Sequence, residues 1–373
     1  MKRVKYPYDE RKKTTRPPLE SLACVTESCQ MYGKPGQKNL IIRKEYGLDK
    51  IRYLRCRVCQ QEFSERKNTA LWNSKVPEDK AIAVAEHLAE GLSVNSIARL
   101  TKVDVSTVKR LQTKVGHHSQ VFHDKRVKAL EIDSLQGDER YGFAGDKQTA
   151  VWEAELIDPA SKFVISHQQG KRDQDLIRRL LEDGASRLRN RHNLTLFTDG
   201  LSSYETLFPE IFGQPYQPPR QTHLGRPAKV RYRIPRTLAH VRIVKHQQGR
   251  RLVGITIHFA HGSKKRVTQS LDFLGYNVPN TSAIERRNGT ARLMASSQAR
   301  RTLAFAKRPE TNLNLGWSAV TVYNWVRPHR SLKLPLPLPL GKKRYQQRTP
   351  AMALGLANHI FSIPELLLSQ VFP

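Results

Sequence analysis

The stretch Ala129-Leu-Glu-Ile-Asp-Ser-Leu-Gln-Gly-Asp-Glu-Arg-Tyr-Gly-Phe143 begins the part of the chain in which strand patterns predominate. Its first eight residues alternate between apolar and polar side chains, as a half-buried strand does, and Asp138 follows shortly after them. Two further strand-like runs lie at 150–157 and 162–167, separated by the turn residues Asp158-Pro159. We therefore expect three consecutive antiparallel strands.

Helical spacing of apolar residues follows from Asp173 to about Arg187, and 194–197 predicts a short buried strand that runs into Thr198-Asp199-Gly200. This order of elements predicts an RNase H-like α/β domain with a mixed sheet flanked by helices, placed at 129–333. The first and fourth strands are neighbours in such a sheet. Asp138 and Asp199 are therefore expected to converge.

Glu285 is an isolated acid in a strongly basic region. Residues 211–309 contain 20 Lys and Arg but only two acids, Asp272 and Glu285. A carboxylate on a phosphate-binding surface repels the ligand unless a bound cation reverses its sign. We predict that Asp138, Asp199 and Glu285 share two Mg²⁺ or Mn²⁺ ions, which prefer hard oxygen ligands and can activate a phosphodiester.

Each acid also has an alternative interpretation. Asp133 lies on the same predicted strand and is the fallback first ligand. Asp199 precedes a glycine and could simply begin a turn. Glu285 could form an ordinary surface ion pair with Arg286 or Arg287, although its acid-poor surroundings favour a metal.

Composition indicates a nucleic-acid partner. The formal charge is +31 over 373 residues with a pI near 10.3, and counterion release rewards each cation placed on a phosphate. A hydrophobic content of 38% is too high for a disordered polycation. No signal peptide and no apolar run of about 18 residues is found, so we expect a cytoplasmic, nucleoid-associated protein that binds no membrane and no small-molecule substrate.

Four cysteines are clustered near the amino terminus, after a basic arm at 1–20. Cys24-x4-Cys29 is followed by Cys56-x2-Cys59. Four thiolates satisfy tetrahedral Zn²⁺, so the spacing predicts a structural zinc ribbon at 21–67. Reduced structural cysteines are the alternative, because the first spacing is wider than usual.

Residues 76–118 predict an all-α helix-turn-helix, with three short amphipathic helices and Lys102 in the turn where glycine is common. An ordinary three-helix packing unit is the alternative. Five residues of the third helix are predicted to point outward and contact DNA: Ser106, Thr107, Lys109, Arg110 and Thr113.

The segment 215–270 holds 13 Lys or Arg and no acid, with aromatic residues interleaved. It predicts a basic insert that follows phosphates, in which Arg231 and Arg233 contact DNA, and a solvated loop is the alternative. Residues 334–373 are predicted to form an extended Pro-Leu connector and a short apolar tail.

Taken in order, the cysteine pattern, the helix-turn-helix pattern and three acidic motifs resemble the bacterial insertion sequence 1 family of transposases. The motifs are Asp138-Glu-Arg-Tyr-Gly-Phe, Thr198-Asp-Gly-Leu-Ser-Ser-Tyr and Ile284-Glu-Arg-Arg-Asn. The resemblance implies a DDE recombinase with catalytic residues Asp138, Asp199 and Glu285. It also implies Asn288 as a helper, and Arg292 shares its helix face.

The resulting expectation is a DNA transposase that binds the two ends of an insertion sequence as a homo-oligomer and carries out metal-dependent strand cleavage and strand transfer. Two alternatives remain open. One is an inactive transposase-derived DNA-binding regulator, and the other is an RNase H-like nuclease that uses water as its only nucleophile.

Overall fold

The computed structural model describes residues 16–219, 228–249, 251–299, 302–340 and 343–372. Most of the predicted basic arm, residues 1–15, therefore lies outside the described residues. The chain folds into two compact units. We call them the cysteine unit, Met1–Lys125 with Ile360–Pro373, and the sheet unit, Arg126–His359.

The cysteine unit begins with a small antiparallel sheet of order β1-β2-β3. Its strands are β1 Leu40–Tyr46, β2 Ile51–Cys56 and β3 Glu62–Ser64. The side chains of Leu40, Leu54 and Phe63 are buried together with the cysteines. So small a core supplies little hydrophobic stabilisation to this sheet.

Three helices follow: α1 Glu78–Ala89, α2 Val94–Thr101 and α3 Val105–Arg126. The Ser93 hydroxyl accepts a hydrogen bond from the Ser96 amide at 3.2 Å and caps the second helix. Lys102 adopts a left-handed φ of 56° between α2 and α3, a conformation that glycine adopts without strain. Ile97 and Val108 are fully buried.

The sheet unit contains a six-stranded mixed sheet of order β11-β10-β7-β4-β5-β6. The strands are β4 Ser134–Ala144, β5 Asp146–Ile157, β6 Val164–Gly170, β7 Leu194–Thr198, β10 Leu238–Gln248 and β11 Arg251–Gly262. β4, β5 and β6 are antiparallel neighbours, as expected. β7 pairs in parallel with β4 and with β10.

Helices flank both faces of this sheet. The helices are α4 Gln174–Ser186, α5 Ser202–Phe212, α6 Lys264–Leu274, α7 Ser282–Met294 and α8 Pro309–Thr321, the last continued by a π-helical turn at Val322–Val326. Gln136 accepts hydrogen bonds from the first turn of α7, whereas a Cβ on Gly137 would lie 3.2 Å from Tyr204 of α5. Alternate residues of β4 thus face different helices.

Two predicted elements need correction. β4 does not end at Gln136 but continues to Ala144, so Asp138 lies within the strand and pairs with Glu155. Gly137 resembles a turn residue in the sequence, but a Cβ there would lie 3.1 Å from Leu156, so the position requires a small residue.

The segment 215–270 is not simply a basic surface insert. It contains two short strands, β8 Gln214–Tyr216 and β9 Arg231–Arg233, and then β10 and β11 of the main sheet. Leu238, Val241 and Ile243 are buried in β10, so apolar residues between the cations build an interior strand. Residues 220–227 lie outside the described residues.

The chain ends with short elements. Leu334–Leu340, predicted as an extended connector, is β12 and pairs with β13 Lys343–Gln346 as an antiparallel ribbon. α9 Pro350–Ala353 follows in the sheet unit. The last helix, α10 Ile363–Leu368, belongs to the cysteine unit, where Leu367 packs against Ala85 and Val115.

Candidate functional site

Asp138 and Asp199 meet where β7 ends. Gly137 of β4 pairs with Thr198, the last residue of β7. Asp138 and Asp199, the residues that follow them, therefore lie side by side. β4 continues past this point without β7 beside it, which leaves room for side chains. Ligand oxygens of Asp138, Glu139 and Asp199 all lie within 4.8 Å of one another.

The three carboxylates are crowded electrostatically. Burial, followed by the charges of Asp199 and Glu139, raises the pKa of Asp138 to about 7. Burial, followed by the charge of Asp199, also raises the pKa of Glu139. Arg172 offsets part of this repulsion, with nitrogen–oxygen distances of 3.2 Å to Glu139 and 3.9 Å to Asp199.

This donor set fits a divalent cation. Hard carboxylate oxygens are the ligands that Mg²⁺ and Ca²⁺ prefer, and two oxygens on opposite sides of such an ion are separated by about 4–5 Å. The ligand oxygens of the three acids, all within 4.8 Å of one another, are therefore close enough to share one ion. A cation would relieve the like-charge repulsion that raises the Asp138 pKa.

Asn288 joins this cluster from α7. Its amide nitrogen donates to Asp138 Oδ2 at 2.8 Å, and its amide oxygen accepts from Arg140 at 3.2 Å. Asp138 Oδ1 also accepts from the Glu139 amide at 2.8 Å. Asn288 therefore fixes one oxygen of Asp138, and its role as a helper stays a prediction.

Glu285, one turn before Asn288, is near this cluster but outside it. Among the described residues, the third acid of the cluster is Glu139. The Glu285 carboxylate instead accepts hydrogen bonds from Lys245 and Thr281, and its side chain is 43% exposed. Its negative charge still contributes to the raised pKa of Asp138, after the larger effects of burial and the nearer acids.

Asp133, the alternative first ligand, has a structural contact. Its carboxylate accepts a hydrogen bond from Arg266 at 2.8 Å, and it precedes β4 rather than facing Asp199. Within the described residues it does not belong to the acid cluster.

A buried ion network behind the cluster was not predicted from the sequence. Arg140 contacts Glu153 and Glu155, and Arg287 Nε lies 3.1 Å from Glu155. The guanidinium of Arg287 also stacks over Tyr323, 4.6 Å from its ring centroid. The available signal was the pair Glu153 and Glu155 at alternate positions of the otherwise apolar stretch 150–157. Buried acids require partners. This network ties α7 to β4 and β5.

The four predicted zinc ligands form a second cluster. Sγ of Cys24 lies 3.7 Å from that of Cys59, and Sγ of Cys29 lies 3.9 Å from that of Cys56. Four sulfurs arranged tetrahedrally at about 2.3 Å from an ion are separated by about 3.8 Å, so the cluster fits a metal ion.

Hydrogen bonds favour the thiolate of Cys56, whereas burial raises the pKa of Cys24 to about 12 and the pKa of Cys29 is also raised. Burial by itself would raise the pKa of Cys56, but N–H donors from Cys59 and Asn39 hold it at about 6. The Asn39 amide lies 3.1 Å from the Cys56 sulfur. Met31 similarly donates its amide to Cys29 at 3.4 Å. Such second contacts are typical of metal ligands.

The predicted DNA-contacting residues lie mostly at the surface. Val108 and Leu111 of α3 are buried, while four of the five predicted contacts are exposed and Thr107 is half-buried. Arg231 and Arg233 are exposed on β9, and Arg292 is half-buried in the last turn of α7. These positions allow contact with a ligand but do not identify one.

Comparisons with known proteins give no relative: no protein-family model matches the chain, and no curated protein is significantly similar to it. Within the described ranges, none of the helices has both the length and the apolar character that a membrane span requires.

Proposed function

We propose that this chain is a DNA transposase of the insertion sequence 1 type, working as a homo-oligomer on double-stranded DNA. The observation that carries the proposal is the meeting of Asp138 of β4, Asp199 at the end of β7 and Asn288 of α7, in a chain with a formal charge of +31. The mixed sheet and its flanking helices support an RNase H-like catalytic domain.

In this proposal Asp138 and Asp199 hold Mg²⁺ or Mn²⁺. Such ions polarise an attacking hydroxyl and stabilise the leaving 3′ oxygen in an in-line displacement at phosphorus. Asn288 orients Asp138 through its 2.8 Å hydrogen bond, and the buried Arg140–Glu155–Arg287 network keeps α7 in register with the strands. Arg172 balances the charge of Glu139.

Glu285 is proposed as the third acid, because it precedes Asn288 by one turn and already acts electrostatically on Asp138. Glu139 is the competing residue. Glu285→Gln and Glu139→Gln, which are isosteric and each remove one charge, separate the two assignments. We expect Glu285→Gln to lower the cleavage rate at least about 100-fold, an effect of the size produced by losing one group that stabilises transition-state charge. A larger loss with Glu139→Gln would transfer the assignment to Glu139.

In the cysteine unit we propose structural Zn²⁺ on Cys24, Cys29, Cys56 and Cys59, and a helix-turn-helix that recognises the element ends through α3. The sulfur–sulfur distances and the exposed polar face of α3 support these assignments.

The deciding experiment measures strand cleavage and joining on DNA that carries candidate element ends, with Mg²⁺. A transposase links the 3′ hydroxyl of the cut element to a second duplex, which gives a joined product of new length. Hydrolysis without joining would instead assign a nuclease, and binding without either reaction would assign a regulator.

A further inference from the structure

A cationic cavity lies beside α7 in the sheet unit, apart from the acid cluster. Its volume is about 530 Å³, within the range of ligand sites. Four cationic side chains line it: Lys162, Arg286, Arg330 and Lys333. No carboxylate is among its lining residues.

Of the cavity cations, Lys162 is half-buried and Arg286, Arg330 and Lys333 are exposed. Their surroundings differ from those of several other arginines of the unit. Arg140, Arg172, Arg242 and Arg266 each contact a carboxylate. Across the described ranges, by contrast, no ion pair involves any of the four cavity cations. Lys162 donates to the Pro159 carbonyl, and Lys333 lies over a tyrosine ring. Cations gathered without acids repel one another unless an anion binds.

The neighbouring groups agree with an anion site. His329 is half-buried in the cavity wall, and its Nδ1 accepts a hydrogen bond from the Ser331 hydroxyl at 2.8 Å. Burial and then the charges of Lys162 and Arg286 lower its pKa. The amide groups of the first turn of α7 are already bound by Asn280 and Gln136, so side chains would have to bind the ligand.

We propose that this cavity binds a backbone phosphate of DNA, at a position other than the one that is cut. Two arginines provide planar forks that match phosphate oxygens. Of the two aromatic side chains in the wall, His329 is half-buried, and Tyr323 is only 5% exposed and lies under Arg287, so Tyr323 presents no face on which a base could stack. Backbone recognition therefore fits the cavity better than base recognition.

The location connects the cavity with the acid cluster. Arg286 follows Glu285 directly, and Asn288 on the same helix contacts Asp138. DNA bound at the acids would pass within about the diameter of one helix, 10–12 Å, of the cavity. This inference rests on the proposed function for the identity of the ligand, although its test measures binding alone.

The test compares the full-length wild-type protein with Arg286→Gln/Arg330→Gln in binding to a 30-base-pair duplex at several salt concentrations, without divalent metal. Loss of one phosphate contact should reduce the slope of log K against log salt by about 0.9. This change corresponds to an approximately eightfold loss of affinity at 0.1 M salt.

Lys128→Gln/Arg191→Gln is the matched control. It removes two exposed cations near the start of β7, the end of that strand opposite Asp199, and should leave the slope unchanged.

Arg286→Lys/Arg330→Lys keeps both charges and should recover most of the lost slope, which excludes misfolding as the cause. An unchanged slope in the glutamine variant, or an equal loss in the control, would overturn the inference. Calorimetry with inorganic phosphate tests whether the cavity binds a free phosphate ion rather than a phosphate of DNA. Phosphate binding at the cavity without any change in the DNA slope would assign a small anion instead. Failure of the wild type to cleave DNA would contradict the proposed function but not this slope.

Discussion

Replacing Asp138 by asparagine should stabilise the metal-free protein at neutral pH. The folded protein holds the Asp138 pKa at about 7, against an ordinary value of 3.8. Between these values the folded state binds more protons than the unfolded state, so the free energy of unfolding falls as the pH rises. Asparagine carries no charge and avoids this loss.

The magnitude follows from the difference in pKa. A difference of about three pH units corresponds to at most about 4 kcal/mol above pH 7. Asparagine has one acceptor oxygen for two donors, the Asn288 amide and the Glu139 backbone amide, so one hydrogen bond worth about 1 kcal/mol is lost. Solvent screening and rearrangement of Asp199 reduce the value further. We expect a net gain of about 2 kcal/mol, or about 4–8 °C in the unfolding temperature of a unit of this size.

The assay is thermal and urea unfolding of both proteins from pH 4 to pH 8 in EDTA. The stability difference should be small near pH 4, should increase toward pH 7, and should become constant above it. Added Mg²⁺ should then stabilise the wild type more than the variant, because the ion binds the carboxylate. A variant that is equally destabilised at every pH would refute the account of a crowded, buried acid cluster.

Three further predictions test other parts of the structure. Cys56→Ser should lose stoichiometric zinc, measured by elemental analysis, and retained zinc would refute the four-sulfur site. Arg287→Met should lower the free energy of unfolding in urea by about 3–5 kcal/mol, because it leaves Glu155 with less compensation in the core, and a loss below 1 kcal/mol would show that the buried pair is unimportant. Arg110→Ala should weaken binding to element-end DNA by about 1–3 kcal/mol relative to random DNA, and equal weakening on both would reduce Arg110 to a phosphate contact.

Local sequence patterns predicted the helices and strands in which apolar residues recur at a regular spacing. The strands at β5, β6 and β7 and the helix at α4 were predicted close to their positions, and β4 and β7 pair as expected. Asp138 and Asp199 could be placed together because β4 and β7 are neighbouring strands and Asp199 follows the last residue of β7. The four cysteines were also found by spacing alone, and the structure brings their sulfurs together.

Other features depend on contacts between distant residues. The basic character of 215–270 concealed the interior strand β10, because its cations lie at positions between buried Leu238, Val241 and Ile243. Glu139 joins the acid cluster because β4 continues past the end of β7 and, among the described residues, has no neighbouring strand on that side there. The pairing of Glu285 with Lys245 joins residues 40 positions apart on different elements. No local pattern contains that information.

The most direct test of the central claim is the rate of strand cleavage at an element end by wild type, Asp199→Asn and Asp272→Asn, each in Mg²⁺ and in EDTA. Asp272 is an exposed acid of α6 and serves as the matched control. The account predicts Mg²⁺-dependent cleavage by the wild type and by Asp272→Asn, and at least about a 100-fold loss in Asp199→Asn. Equal cleavage by Asp199→Asn, or wild-type cleavage that persists in EDTA, would contradict it.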